Sequence, residues 1–216
     1  MPALLCYRRA IKPDLGGQMA MKLWTGLAAA LSIALGAVPA PAQIADSTNF
    51  LKAVRERDGN SAQGLLAASG PVIVNTKGDD GLGALHIVAR ERDTAWLDFL
   101  LGKGARPDIQ DRNGATPLAI ATQLGWTEGA QILIAHGAAV DLGNSRGETP
   151  LMLAVHNRDA NMVRLLLAAG ASPTRTDRSS GYSALDYARQ DPRTAAIAKL
   201  LEAPAPGPRK AFGPKL

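Results

Sequence analysis

Thiol chemistry is nearly absent from this chain, whose 216 residues include one cysteine, Cys6. A single cysteine forms no internal disulfide, and without partners it builds no thiolate metal site. Aromatic residues are also scarce, at 4%. A core drawn from Ala, Leu, Ile and Val suits closely packed helices better than a β-sandwich. An excess of one charge is missing as well. The formal net charge is +5, but Arg8, Arg9, Lys12 and Lys22 lie near the N-terminus, and residues 43–216 carry 20 basic against 18 acidic side chains. That balance gives no concentrated basic surface, so no nucleic-acid partner is expected. Catalytic signatures are lacking: there is no G-x-S-x-G, no Walker loop and no H-E-x-x-H. Gly78, Gly81 and Gly83 form a glycine-rich patch with no G-x-G-x-x-G after a strand, which reads as a permissive turn. No catalytic residue and no cofactor is assigned.

The N-terminus is organised differently. In "MKLWTGLAAALSIALGAVPAPA", residues 21–42, a lysine precedes an apolar run from Leu23 to Val38, and Ala40-Pro41-Ala42 offers an A-x-A cleavage site. These are the three parts of a secretory signal peptide. The run is short for a spanning helix, which needs about 20 residues. Cleavage is expected after Ala42, leaving Gln43 first; cleavage after Ala40 would leave Pro41 first and is less favoured. No cysteine follows the run, which excludes a lipoprotein anchor. The 18 residues before Met19 place the run unusually far from Met1, so Met19 or Met21 is the expected start. An uncleaved anchor, or a cytoplasmic protein with an apolar tail, is the competing reading. The expected location is periplasmic or secreted, with no membrane span in the mature chain.

Downstream the sequence repeats. "DRNGATPLAIA" from Asp111 has partners in "GDDGLGALHIVA", "NSRGETPLMLA" and "DRSSGYSALDYA". The shared glycines Gly81, Gly114 and Gly147 are 33 residues apart, and Gly181 follows after 34. A second motif pairs an aliphatic run with Gly104-Ala105, Gly137-Ala138 and Gly170-Ala171. These glycines fit helix ends, where the chain turns left-handed. Thr116-Pro117 and Thr149-Pro150 fit helix starts, with Thr as cap and Pro in the first turn. Each unit therefore reads as turn, short helix, tight loop, longer helix and glycine stop, with helices expected near 117–124 and 127–136 around Gly125. Leu85, Leu118, Leu151 and Leu185 form one core column, and Val88, Ala121, Ala154 and Ala188 a second. Asp111, Asn144 and Asp177 sit where a side-chain oxygen accepts turn N–H groups. Residues 203–216, rich in Pro, Gly and Lys, fit a disordered tail.

The pattern D-x-x-G-x-T-P-L-x-x-A, the aliphatic run with Gly-Ala and the spacing of 33 together resemble the ankyrin repeat. The resemblance covers residues 46–202 and implies an all-α solenoid of about five stacked helix-turn-helix units, near 46–77, 78–110, 111–143, 144–176 and 177–202. The first of these is degenerate. Gly83-Ala84 and Ser183-Ala184 depart from Thr-Pro, and weaker local order is expected at both. His86 falls on the motif's structural histidine. His136 ends a second helix, and His156 is expected exposed near the end of a first helix. The three belong to different units, and no metal site is expected.

In this family, partners usually meet the turn tips and the exposed side of the first helices. The resemblance therefore implies tip candidates Asp79, Asp80, Arg112, Asn113, Ser145, Arg146, Glu148, Arg178 and Tyr182. The matching first-helix candidates are Arg90, Glu91, Gln123, Leu124, His156 and Asn157. Of these, Arg112, Asn113, Ser145, Arg146, Glu148, His156, Asn157, Arg178 and Tyr182 are the expected partner-binding set. Arg112, Arg146 and Arg178 come from successive units and could clamp carboxylates. Trp126 is expected to pack on its own loop. The leading functional expectation is a non-enzymatic, monomeric module that binds a protein partner. An inhibitor or protective factor for a periplasmic enzyme, in a stress response for example, is the alternative. An enzyme with a site built across the turns is a third, disfavoured class.

Overall fold

The computed structural model describes residues 41–202. The signal sequence and the C-terminal tail expected above lie outside these residues. Helices α1 (Pro41–Glu56) and α2 (Gly59–Ser69) are followed by a 3-10 turn at Pro71–Asn75. Then come α3 (Ala84–Glu91), α4 (Thr94–Gly102), α5 (Pro117–Gln123), α6 (Thr127–Ala135), α7 (Pro150–His156) and α8 (Ala160–Ala168). Helix α9 (Ala184–Gln190), a short 3-10 turn at Pro192–Thr194 and α10 (Ala195–Glu202) end the described chain. The only β-type pairings among the described residues are two isolated bridges, Lys77 to Gly83 and Thr176 to Ser183, which close turns. The architecture is an all-α stack of five helical pairs. Helix α1 spans the expected Ala42–Gln43 cleavage point, so Gln43 lies in its first turn.

Six helices, α2, α4, α5, α7, α8 and α9, start where the sequence supplies a side-chain acceptor, whereas Gly83 and Trp126 supply none to α3 and α6. Thr116 Oγ1 accepts from Ala119 N–H at 3.1 Å, and Thr149 Oγ1 from Met152 N–H at 3.4 Å. Asp58, Asp93 and Asp159 cap α2, α4 and α8 in the same manner. Such caps contribute about 1 kcal/mol each. The two departures from Thr-Pro differ from each other. At Gly83 no side chain caps α3, and His86 Nδ1 accepts from Gly83 N–H at 3.0 Å, the returning half of a capping box. At Ser183, Oγ accepts from Asp186 N–H at 3.2 Å and the Asp186 carboxylate accepts from Ser183 N–H at 2.9 Å, a complete capping box.

First helices pack on first helices, in the order α1, α3, α5, α7, α9, and α4, α6, α8 and α10 form a second row. Leu85, Leu118 and Leu151 are buried at the shared register, with Val88, Ala121, Ala154 and Ala188 three residues on. Leu185 is only half-buried, and among the described residues no further unit packs on the last pair. Polar ties join neighbouring units at one register. Asn75, Asp108 and Asp141 accept from the N–H groups of Arg106, Ala139 and Ser172 at 2.7, 2.8 and 2.9 Å.

The loops between paired helices carry a device the sequence analysis overlooks. Arg57, Arg92 and Arg158 adopt left-handed φ of 57°, 54° and 55°, and Gly125 takes the fourth position at 64°. A non-glycine residue there costs on the order of 1 kcal/mol. Each arginine then reaches the next unit. Arg57 Nε lies 3.2 Å from Asp93 Oδ2, Arg158 Nη2 lies 3.0 Å from Asp191 Oδ2, and Arg92 donates to the Leu124 carbonyl. Gly125 has no side chain to extend. There the tie runs backward, with Asn157 Nδ2 donating to the Gln123 carbonyl at 2.9 Å.

Among the described residues one buried side-chain group is unsatisfied. Thr122 is fully buried, and its hydroxyl has no hydrogen-bond partner. The same register holds Ala89 and Val155 in neighbouring units, both buried. Thr122→Val keeps the shape and removes the stranded hydroxyl, so it should stabilise the protein by about 1 kcal/mol. A urea midpoint shifted upward with an unchanged slope is the expected observation. A downward shift would mean that the hydroxyl is satisfied in solution.

Candidate functional site

The turn tips are built by the same three side chains that the sequence marks. Asp111 Oδ1 accepts from Asn113 and Ala115 N–H, both at 2.8 Å. Asn144 Oδ1 accepts from Arg146 and Glu148 N–H at 2.9 and 3.1 Å. Asp177 Oδ1 accepts from Ser179, Ser180 and Gly181 N–H at 2.9, 2.6 and 3.1 Å. Rigid tips then stack on one another through the backbone. Ser145 N–H donates to the Asn113 carbonyl at 2.9 Å, and Arg178 N–H to the Arg146 carbonyl at 2.8 Å. The stacking needs glycine beneath each crossing. Gly147 has φ +81°, and a Cβ placed on it would lie 2.9 Å from Arg178 N. Any other residue there is both strained and in the way.

The expected binding residues fall into three groups. Arg146 and Glu148 are bound to each other, Nη2 to Oε2, at 2.7 Å. Burial pushes the Glu148 carboxyl up, but hydrogen bonds from Arg146 and Asn144 outweigh it and hold it below the usual carboxylate range. Arg112 stands apart and donates to the Asp79 carbonyl. Asp80 pairs with Arg55 at 2.7 Å, and Glu91 lies 3.6 Å from Arg57. Asn157 is committed to the preceding unit. Asn113 and Ser145 meet through their backbones, while Arg178 has no side-chain ion pair or hydrogen bond among the described residues. Arg90 and Gln123 are exposed, as is Leu124 at 37%.

The third group is aromatic. Tyr182, 44% exposed, meets Tyr187 edge-on with ring centroids 5.7 Å apart. The exposed His156 of the preceding unit packs against Tyr187 too, with ring centroids 4.5 Å apart and tilted by 57°. Tyr187 is missing from the residues expected from sequence. Its ring is held by its hydroxyl, which donates to Asp177 and lies 2.7 Å from Ser180 Oγ. The Tyr187 bond, followed by the Ser180 N–H bond, holds the Asp177 carboxyl well below the usual range. The same bond to Asp177 raises the Tyr187 phenol. A signal was available: Tyr187 occupies the register of Ile87, Ile120 and Leu153, shifted by the extra residue in the last turn.

The histidines remain separate. His86 is buried, with Nδ1 on Gly83 N–H and Nε2 3.0 Å from the Ala115 carbonyl. Burial lowers its pKa, and this pair of contacts is that of a neutral ring with the proton on Nε2. His136 caps the C-terminus of α6. Among the described residues no three His, Cys, Asp or Glu side chains converge as for a metal ion, and no described helix is long and apolar enough to cross a membrane. Trp126 is 7% exposed and packs against its own helix at Gly129.

The family model described as ankyrin repeats (3 copies) matches residues 50–144, 85–177 and 140–205. Together these spans cover well over half of the chain and all but the first turns of the helical stack. Ankyrin repeats indicate a protein–protein interaction module, in a family that is typically non-enzymatic. By helical stack, tip geometry and family match together, the chain belongs to the ankyrin repeat family.

Proposed function

We propose that this protein is an exported, non-enzymatic adaptor that binds a protein partner through its turn tips and the exposed side of its first helices. The observation that carries the proposal is the tip edge. Tips from Asp111, Asn144 and Asp177 are each fixed by an internal acceptor, and successive tips are joined by backbone bonds. A surface already ordered before contact loses little conformational freedom on binding. Its exposed residues include Arg178 and Tyr182, of the types that dominate binding hot spots. Export rests on the lysine, apolar run and Ala-x-Ala at residues 21–42.

A crosslinking pull-down with the full chain tests the binding surface. A partner captured by the wild type should be lost with Arg112, Arg146 and Tyr182 all changed to Ala. Equal capture by both would move the interface off the tips, and no specific capture by folded bait would defeat the proposal. Export is read separately, by fractionation and by the mass of the mature N-terminus, which should begin at Gln43.

A further inference from the structure

We infer that the tip edge takes an extended acidic segment of its partner, with Arg112 and Arg178 fixing the segment's register. This rests on the binding surface proposed above and names the chemistry it selects. Arg112, Ser145 and Arg178 occupy one position in three successive tips, each 33 residues from the next. The two arginine stems are seated on glycine. A Cβ placed on Gly81 would lie 2.4 Å from Arg112 Cγ, and one on Gly147 would lie 3.0 Å from Arg178 Cγ. The stems are thus packed against the neighbouring tip, which lowers the entropy lost when the heads engage a ligand.

The heads differ from that of Arg146 between them. Arg146 is neutralised by Glu148 at 2.7 Å. Among the described residues Arg112 donates only to a backbone carbonyl, that of Asp79, and the Arg178 side chain has no acceptor. Two guanidinium groups without an ion pair among the described residues therefore stand two units apart, with the Ser145 hydroxyl between their positions. Packed helices lie 8–10 Å apart, which puts the two heads about 20 Å apart. An extended chain advances about 3.3 Å per residue, so two carboxylates about six residues apart match them. A guanidinium takes a carboxylate with two parallel bonds. Beyond Arg178 the segment meets Tyr182, where an apolar or aromatic side chain finds a ring braced edge-on by Tyr187, which His156 packs against in turn. A nucleic-acid strand fits less well. Its phosphates are continuous, whereas Asp79, Asp80 and Glu148 interrupt the positive charge along the same tips.

The test pans a random twelve-residue peptide library, displayed on phage, against the full chain. Selected peptides should be enriched in pairs of Asp or Glu about six residues apart, with an apolar residue outside one of them. Polarisation titrations of the enriched peptides should weaken roughly tenfold with Arg178→Ala. Arg178→Lys should fall between, because it keeps the charge and loses the paired geometry. Arg112→Ala should relax the preferred spacing. Circular dichroism of each variant checks that the stack is intact. Enrichment of neutral or basic peptides that still depends on Tyr182 would overturn the acidic inference and leave the binding surface standing. Peptides indifferent to Arg112, Arg178 and Tyr182 alike, or no enrichment, would overturn both. A twelve-nucleotide single strand of DNA that outcompetes the enriched peptides would overturn the inference in favour of phosphate recognition.

Discussion

Replacing Asp177 with alanine is expected to cost about 3 kcal/mol and to release the last unit ahead of the rest of the stack. Asp177 is 5% exposed, and its carboxylate accepts from three backbone N–H groups, the Ser180 hydroxyl and the Tyr187 hydroxyl. Hydrogen bonds to a charged acceptor contribute about 1.5–3 kcal/mol each, but the tip residues can turn to water once the carboxylate is gone, so the sum is not reached. Asp177→Asn should cost far less, because Asn144 already serves a neighbouring tip with its amide oxygen at 2.9 and 3.1 Å. Each unit of a stack is held only by its neighbours, so the loss should surface as an early, separate transition. Hydrogen exchange in α9 and α10 should accelerate while α5 and α6 stay protected. The acid response follows with a definite sign. A carboxyl held below its unfolded value near 4 contributes stability that is complete above that pH and is lost as pH falls through the folded value. Wild type should therefore lose part of its stability between neutral pH and pH 3, and Asp177→Ala should lose less. Equal acid sensitivity in the two proteins would show that Asp177 does not govern it.

The second large effect concerns Trp126 and Gly129. A Cβ on Gly129 would stand 2.2 Å from Cε3 of the Trp126 ring, which lies flat against the bare helix backbone. Trp126→Ala empties that slot and should cost about 3–5 kcal/mol. Gly129→Ala sets two terms against each other. Gly129 is the third residue of α6, where alanine gains up to about 1 kcal/mol over glycine. Forcing the ring out of its seat costs about 1–3 kcal/mol, so the substitution should be destabilising overall. The cycle makes the claim sharp. In the Trp126→Ala background the clash is absent, and Gly129→Ala should become stabilising by up to about 1 kcal/mol. Chemical denaturation of the four proteins measures this reversal, and a Gly129→Ala effect of the same sign in both backgrounds would refute the contact.

The repeat was legible because its punctuation is local. Thr116, Pro117 and Gly125 each act on their own few residues, and the helices fall at Pro117–Gln123 and Thr127–Ala135, within a residue of expectation. What sequence did not reveal depends on which side chains meet once the turns have folded, some two or three residues apart and others in the next unit. Gly83 supplies no cap of its own, and only the fold shows His86 turned back upon its N–H. Arg57, Arg92 and Arg158 read as ordinary loop charges, since a left-handed arginine is uncommon and its compensation lies in the following unit. Arg146 and Asn157 look free in sequence, yet one is bound to Glu148 and the other to the Gln123 carbonyl. Tyr187 was hidden by the extra residue in the last turn, which breaks the period of 33 and moves its column by one.

The ties between interhelical loops give the molecule the mechanics of a spring with unequal links. The links at the two ends are ionic, Arg57 to Asp93 and Arg158 to Asp191. Those in the middle are neutral acceptors, the carbonyls of Leu124 and Gln123. The screening length is about 8 Å at physiological salt and about 3 Å at 1 M, so these exposed pairs weaken as salt is raised toward molar levels, and a bond to a carbonyl responds less. Raising the ionic strength therefore softens the ends of the coil and leaves its centre stiff. The ionic medium becomes a selective lubricant, loosening the outer turns while the middle turns keep their pitch.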